Sequence, residues 1–260
     1  MSRIYPLFSS SKGNCTYIGT KEAGVLIDCG VTFTRLRYAL DVNGLSADAI
    51  KAVFITHEHC DHISGLRILT KYTGAAVFAQ AYTLEKLNEN GHISRRSHAE
   101  ELRCGVEVCG MSVEAFDTPH DTRESCGYKL TFSEGKVCAV CTDLGHVSET
   151  VERFLLGADV VLLESNYDEA LLIGGRYPWF LKKRILSKNG HLSNADCSDF
   201  AARLIKSGTT RLILGHLSLE NNTPQAAAAT AEKSLREYKQ GRDYILSIAP
   251  VQTTGGFIAF

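Results

Sequence analysis

Three histidines and an aspartate lie within six residues of this chain, in the pattern His-x-His-x-Asp-His at positions 57–62. The cluster follows the segment Val53-Phe54-Ile55-Thr56, which has the length and composition of a buried strand. Imidazole nitrogens and carboxylate oxygens are good ligands for zinc and its first-row neighbours. On an extended loop, His57 and His59 point to one side, and the turn into the next helix brings Asp61 and His62 in from another. The spacing therefore predicts two metal ions rather than one crowded ion.

Three more candidate ligands each follow a strand-like run further along the chain. His120 comes after Phe-Asp-Thr-Pro, Asp143 after Val-Cys-Thr, and His216 after Leu-Ile-Leu-Gly. A single histidine at a strand end is more often a hydrogen-bonded surface residue than a ligand. The ordered recurrence of such residues after the first cluster is more specific, because layered α/β folds place their sites at strand ends.

Strand-like runs alternate with helical patterns along the whole chain. We expect strands at 75–79, 111–117 and 136–142, and helices at 194–206 and 224–240. The composition has no clean break and the sequence no internal repeat. The pattern therefore predicts a single layered α/β domain that covers residues 1–260.

Composition excludes several classes of protein. Hydrophobic residues make up 44% and charged residues 22% of the chain, close to the globular average and unlike disordered or collagenous proteins. The net charge of −1 leaves local basic patches possible, and no uninterrupted apolar stretch is long enough for a membrane span. The first residues lack the apolar run of a secretory signal, and the nine cysteines are irregularly spaced. We therefore expect a cytoplasmic protein with free, buried thiols.

The succession of these motifs resembles the metal set of the metallo-β-lactamase fold, and the resemblance runs the length of the chain. It implies a four-layer αββα sandwich, of the α/β or α+β class, and a centre with two divalent metals, zinc or manganese, with iron also compatible. Carried over by motif, one metal is held by His57, His59 and His120. The other is held by Asp61, His62 and His216, and Asp143 bridges the two. Asp28 resembles the aspartate beneath the metal loop, in a structural role.

The residues outside the metal set favour phosphodiester substrates. Lactamases of this fold usually have cysteine where Asp143 stands, although glyoxalase-type thioesterases share the aspartate. The small polar loop 9–15 can offer backbone N–H groups to an anion, with Asn14 as a candidate substrate-binding residue, or it is an ordinary hairpin loop. Glu164 resembles the glutamate motif of tRNA 3′-processing enzymes of this fold, and His191 resembles their downstream histidine.

Five basic residues lie between these two motifs, over positions 176–188. Lys182 and Arg184 are candidates for binding the nucleic-acid backbone, and a solvated helix face is the alternative. Trp179 and its aromatic neighbours offer a stacking surface for bases, or they pack in the core.

Together these motifs resemble the bacterial YycJ/WalJ-like group of 5′-to-3′ DNA exonucleases, from which Lys12 departs in the first loop. The resemblance implies a metal-dependent hydrolase that acts on nucleic acid. A hydroxide bridging the metals is expected to attack phosphorus, oriented by Asp61, while His191, steadied by Glu164, protonates the leaving oxygen. The alternatives are a small-molecule cyclic phosphodiesterase, a thioester hydrolase and a metal-holding module without catalysis.

Overall fold

A computed structural model describes residues 2–95 and 97–260. The strands of this part of the chain are β1 (Arg3–Phe8), β2 (Cys15–Gly19), β3 (Gly24–Ile27), β4 (Ile50–Phe54), β5 (Ala76–Ala79), β6 (Ala99–Glu101), β7 (Val106–Val108), β8 (Met111–Asp117), β9 (Cys126–Phe132), β10 (Val137–Cys141), β11 (Val160–Glu164), β12 (Arg211–Gly215), β13 (Ile245–Ile248) and β14 (Ile258–Ala259). The α-helices are α1 (Phe33–Val42), α2 (Cys60–Ile63), α3 (Leu66–Thr73), α4 (Ala81–Glu89), α5 (Glu149–Leu155), α6 (Glu169–Gly174), α7 (Trp179–Ile185), α8 (Asn194–Lys206) and α9 (Pro224–Ser234).

The strands form two seven-stranded sheets, so the predicted mixed α/β class is confirmed. One sheet has the order β14-β1-β2-β3-β4-β5-β6 and the other β13-β12-β11-β10-β9-β8-β7. The chain divides into two compact units, each with its own apolar core. The first unit comprises Met1–Ala115, Leu130–Gly135 and Pro250–Phe260, and the second comprises Phe116–Lys129 and Lys136–Ala249.

In the first unit the sheet changes from antiparallel to parallel at β3. Strands β1, β2 and β3 pair antiparallel, whereas β3, β4, β5 and β6 pair parallel. Every residue of β3 is buried, and β4 exposes only Lys51. Because β3 and β4 are parallel neighbours, their carboxyl ends meet at one edge of the sheet. Asp28 and Thr56 follow those two ends.

In the second unit the strands β10, β11, β12 and β13 pair parallel in sequence order. Strands β10 and β11 are almost continuously apolar, as expected for parallel strands covered on both faces. Asp143 and His216 follow the carboxyl ends of β10 and β12, and Glu164 ends the strand between them. The topology therefore places Glu164 at the centre of three adjacent strand ends.

Most predicted elements agree with the structure, but the sequence did not predict the short strands β6 and β7, and some helices also differ. Helix α8 has the predicted bounds, and the Ser193 hydroxyl caps it by accepting a hydrogen bond from the Asp196 N–H. Helix α9 ends at Ser234, earlier than the predicted 240, and the chain turns before Tyr244. The sequence did not predict α4 or α6. Among the helices that the structure describes, none has the length and apolar character to cross a membrane.

Candidate functional site

Three residues with left-handed backbone follow the carboxyl ends of parallel strands. Asp28 (φ 60°), Asp143 (φ 59°) and His216 (φ 54°) come after β3, β10 and β12. Residues other than glycine adopt this conformation infrequently, at a cost of roughly 1–3 kcal/mol each. Such strain is concentrated at functional sites, and here it orients three of the polar side chains that the sequence singles out.

In the first unit, Asp28 and Thr56 hold two histidine rings. Asp28 Oδ1 accepts a hydrogen bond from the Thr56 N–H at 2.9 Å, and Asp28 Oδ2 lies 2.7 Å from His62 Nδ1. The Thr56 hydroxyl lies 3.0 Å from His57 Nδ1 and 3.2 Å from His62 Nδ1. Burial raises the pKa of the Asp28 carboxyl, and the adjacent His62 ring opposes that shift. With Nδ1 held in this way, Nε2 is the nitrogen with which each ring would coordinate a metal.

His59 and Asn14 complete the cluster of the first unit. His57 Nε2 and His59 Nδ1 lie 2.9 Å apart, so two imidazole nitrogens converge. Asn14 Nδ2 lies 3.1 Å from His62 Nε2 and 3.4 Å from Asp61 Oδ2. The Asn14 side chain therefore contacts two of the predicted ligands, and its contact with substrate stays a prediction.

Backbone hydrogen bonds join the loop of Asn14 to the loop that carries the histidines. The Asn14 N–H donates to the Asp61 carbonyl, the Gly30 N–H to the Asn14 carbonyl and the Cys29 N–H to the His62 carbonyl, each at 2.8 Å. A Cβ added at Gly30 would overlap the carbonyl oxygen of Asp61. Position 30 therefore requires glycine, which lets the three segments approach closely around the predicted ligands.

In the second unit, the fully buried Glu164 accepts hydrogen bonds from two histidines and two backbone groups. Its Oε1 lies 2.8 Å from His191 Nδ1 and 2.7 Å from His216 Nδ1. Its Oε2 accepts from the Leu144 and Leu192 N–H groups at 2.9 and 3.2 Å. Burial acts to raise the pKa of Glu164, but the two imidazole rings hold it well below its usual range. Glu164 is therefore a fixed negative charge that orients both rings.

Asp143 lies among three histidines of the same unit. Its Oδ1 is 3.5 Å from His216 Nδ1, 3.8 Å from His120 Nε2 and 3.8 Å from His191 Nδ1. Asp143, Glu164, His191 and His216 each offer a ligand atom, and these atoms all lie within 4.8 Å of one another. Burial lowers the pKa of His120, and Asp143 opposes that shift. The net shift favours neutral imidazole, the form that binds metals.

His191 is the solvent-accessible member of this group. Its side chain is 21% exposed, whereas the Glu164 side chain is fully buried. Burial lowers the pKa of His191, but the Glu164 carboxylate outweighs it, so that the pKa lies above its ordinary value. The raised pKa favours the protonated ring, which is also partly accessible, as a proton donor requires.

The turn before His191 is held by hydrogen bonds on both sides. His146, to which the sequence assigns no role, places Nδ1 2.8 Å from the Lys188 carbonyl oxygen. His120 Nδ1 lies 3.1 Å from the Gly190 carbonyl oxygen, and the His191 N–H donates to Ile185 at 3.0 Å. His146 thus fixes the segment that presents His191.

The basic stretch differs from the prediction at Lys182. Lys182 is buried, and its Nζ donates to the carbonyl oxygens of Ile173 and Gly175 at 2.6 and 2.7 Å. This charge stabilises the end of α6 instead of facing a phosphate, which corrects its assignment to substrate binding. Arg184 is half-exposed, and its Nε pairs with Asp121, the residue after His120. A role for Arg184 in substrate binding stays a prediction.

Two aromatic side chains of α7 face solvent. Trp179 is 57% and Phe180 75% exposed, so the alternative that they pack in the core is wrong. The Lys183 ammonium lies 5.9 Å from the centroid of the Trp179 ring. An exposed aromatic pair beside a cation suits base stacking.

The sequence motifs did not identify Thr56, whose hydroxyl contacts Asp28, His57 and His62. Its position could have indicated it, because Thr56 is the one hydroxyl residue between a buried apolar run and the histidine cluster. The motifs also gave no role to Asn166, whose Nδ2 donates to the His216 carbonyl at 2.8 Å.

The donor chemistry of both units fits divalent metals. The predicted ligands are imidazoles and carboxylates, namely His57, His59, Asp61 and His62 in the first unit and His120, Asp143 and His216 in the second. Rings from both sets are hydrogen-bonded to buried carboxylates, Asp28 and Glu164, as metal-binding histidines usually are. These clusters favour the binding of divalent metal.

The model of the β-lactamase superfamily domain matches residues 24–217. The chain is 34% identical to exodeoxyribonuclease YycJ of Bacillus anthracis, over 89% of this chain and 88% of that protein. It is 31% identical to exodeoxyribonuclease WalJ of Streptococcus pneumoniae, over 90% and 88%. Among solved structures, the metallo-β-lactamase fold protein YhfI of Bacillus subtilis superposes with a TM-score of 0.72 at 13% identity, covering 97% and 98%. The predicted fold is confirmed.

Proposed function

Because the chain belongs to the β-lactamase superfamily and, within it, to the family of the YycJ and WalJ exodeoxyribonucleases, we propose that it is a metal-dependent 5′-to-3′ DNA exonuclease. The enzyme hydrolyses phosphodiester bonds and releases nucleotides from the 5′ end. The strand polarity and the choice of DNA follow from the family resemblance rather than from any single residue.

The observation that carries this proposal is the contact of Glu164 with both His191 and His216. His216 belongs to the predicted metal set, whereas His191 lies outside it and is partly exposed. One buried carboxylate thus couples a predicted ligand to a histidine that can protonate a leaving group. A phosphodiesterase needs such a proton donor because the leaving alkoxide is strongly basic.

We propose that the two ligand sets act together on two divalent ions, zinc or manganese, with iron also compatible. His57, His59 and His120 would hold one ion. Asp61, His62 and His216 would hold the other, and Asp143 would bind both. When bound, two such ions acidify water and neutralise charge on the phosphate.

The protein's own residues orient and protonate the reacting groups. The Asp61 carboxylate accepts a hydrogen bond from the attacking water and aligns it with phosphorus. The water loses one proton to solvent as the new P–O bond forms and the bond to the leaving oxygen breaks. His191 Nε2 then donates its proton to that oxygen, while Glu164 holds Nδ1 and stabilises the protonated ring.

The substrate strand would be bound by Asn14, Arg184 and the exposed aromatic pair of α7. Arg184 pairs with Asp121, the residue after His120. This position would let its guanidinium also contact a phosphate beside His120. Trp179 and Phe180 would stack against bases. We also propose that the protein acts in the cytoplasm, a reducing compartment that suits the irregular spacing of its nine cysteines.

The test is cleavage of linear duplex DNA labelled at the 5′ or the 3′ end, with manganese or zinc added and an Asp61→Ala control. Mononucleotides released first from the 5′ end, and none from the control, are expected. Release from the 3′ end first would contradict the polarity. A metal-loaded protein that leaves DNA intact but hydrolyses a cyclic nucleotide would favour the small-molecule alternative.

A further inference from the structure

A cleft of about 740 Å³ in the first unit is lined by three cations. It lies between α3, the end of α4 and the segment that leads into β6. Arg67, Lys71 and Arg95 are all exposed along it, and the lining residues include no aspartate or glutamate. In the described ranges 2–95 and 97–260, no carboxylate pairs with any of the three.

The fold holds these cations next to one another. Arg67 and Lys71 are four residues apart on α3 and therefore share one face of the helix. The segment that carries Arg95 is tied to the fully buried Thr70 of the same helix. The Ser94 N–H donates to Thr70 Oγ1 at 3.3 Å, and the Ser97 hydroxyl donates to the Thr70 carbonyl at 3.0 Å. Three like charges held together without a carboxylate repel one another, so the cleft favours an anion.

This concentration of charge is local. The whole chain has a net charge of −1. A neighbouring cleft of about 490 Å³ in the same unit contains Glu100, Glu101 and Arg103, and Arg103 pairs with Glu101 at 2.8 Å. The excess of positive charge is therefore a property of the cleft beside α3.

We propose that this cleft binds the phosphate groups of a nucleic-acid strand outside the reaction site. The inference rests on the proposed action on nucleic acid. Arg67 and Lys71 are separated by about 6 Å along the helix axis and Arg95 adds a third cation, so the cleft offers several separate charges, which suits a polyanion better than a single small anion. Helix α3 begins four residues after His62, in the same unit as the predicted metal loop. A strand bound in the cleft would be retained by its backbone charge, whatever its sequence.

The experiment measures binding of the metal-loaded protein to a fluorescent, single-stranded DNA circle of about 40 nucleotides, by anisotropy over a range of salt concentrations. A circle has no ends, so an exonuclease leaves it intact while its backbone remains available. The variant is Arg67→Ala/Lys71→Ala/Arg95→Ala. The control Lys206→Ala/Lys233→Ala/Arg236→Ala removes three exposed cations from the second unit.

Each phosphate contact on single-stranded DNA contributes about 0.7 to the slope of log affinity against log salt, so the cleft variant should lose about 2 from that slope. Between 50 and 200 mM salt, the affinity of the unaltered protein should fall roughly 20-fold more than that of the cleft variant. The control should keep the original slope.

An unchanged slope in the cleft variant, an equal loss in the control, or no binding of the circle by the unaltered protein would overturn the proposal. Inorganic phosphate that displaces the circle at constant ionic strength, from the unaltered protein alone, would assign the cleft to a small anion and overturn it too. If binding depends on the cleft but end-labelled DNA is not cleaved, the proposed nuclease activity fails and the cleft stands.

Discussion

Glu164 holds two imidazole rings through a single carboxylate oxygen, at 2.8 Å from His191 Nδ1 and 2.7 Å from His216 Nδ1. The two rings belong to different parts of the proposed reaction, one to proton transfer and one to metal binding. Substitutions at these three positions should therefore separate the two roles.

His191→Ala should lower kcat by roughly 10²–10⁴-fold, the usual contribution of general acid catalysis, and leave the metal content unchanged. Turnover of end-labelled DNA and elemental analysis of the same preparation measure both effects. His98→Ala is the matched control, because His98 is a 68% exposed histidine paired with Glu100 in the first unit. Loss of metal from the His191 variant would make this residue a ligand instead of a proton donor.

Glu164→Gln should reduce both turnover and metal affinity. The amide keeps the shape of the side chain but removes the charge that orients His216, and loss of such an outer partner usually costs about 10–100-fold in metal affinity or activity. Titration with a chelator measures the affinity. A variant that binds metal as tightly as the unaltered protein, yet turns over slowly, would mean that Glu164 orients His191 and does not support metal binding through His216.

At the scale of elements, the close approach of segments around the metal loop depends on glycine. Gly30→Ala should displace the backbone at Asp61, destabilise the protein by about 1–3 kcal/mol and lower its metal content. Gly174→Ala is the control, since a Cβ at Gly174 meets nothing within 4 Å. Chemical denaturation compares the two, and equal stabilities would mean that the Gly30 contact relaxes at little cost.

The start of the parallel sheet in the second unit should be sensitive to acid. Partial burial acts to raise the pKa of Asp159, but hydrogen bonds from Lys136 Nζ at 2.6 Å and the Val137 N–H at 2.9 Å lower it below the ordinary value. A depressed pKa contributes stability that is present above the unfolded-state pKa and is lost as pH falls through the folded-state value. Asp159→Asn should therefore reduce stability at pH 7, and the difference from the unaltered protein should shrink below about pH 4. A difference independent of pH would contradict this account.

At the scale of the molecule, the chain crosses between the two units several times, because three separate segments build the first and two build the second. We therefore propose that the chain is one cooperative domain. Thermal unfolding should give coincident transitions by far-ultraviolet circular dichroism, which reports on both units, and by fluorescence of Trp179, the single tryptophan, which lies in the second unit. Two separate transitions would divide the chain into two domains.

The apolar runs predicted most strands, because parallel strands covered on both faces are recognisable as short continuous apolar segments. The polar residues that follow these runs indicated the site, because the carboxyl ends of neighbouring parallel strands meet at one edge of the sheet. The sequence motifs led us to expect Glu164 beside His191, and the two are in contact. The contact of Glu164 with His216 was not predictable, because His216 lies 52 residues further along the chain and only the strand order makes them neighbours. The burial of Lys182 depends on carbonyl groups at the end of α6, a helix that the sequence did not predict.

We propose that the predicted histidine and aspartate ligands hold two divalent ions in one chain. Elemental analysis by mass spectrometry of the purified protein tests it directly, beside His59→Ala and His216→Ala as representatives of the two sets. We predict two metal ions per chain in the unaltered protein and a reduced content in each variant. One ion or none in the unaltered protein, or two ions retained in either variant, would contradict the claim.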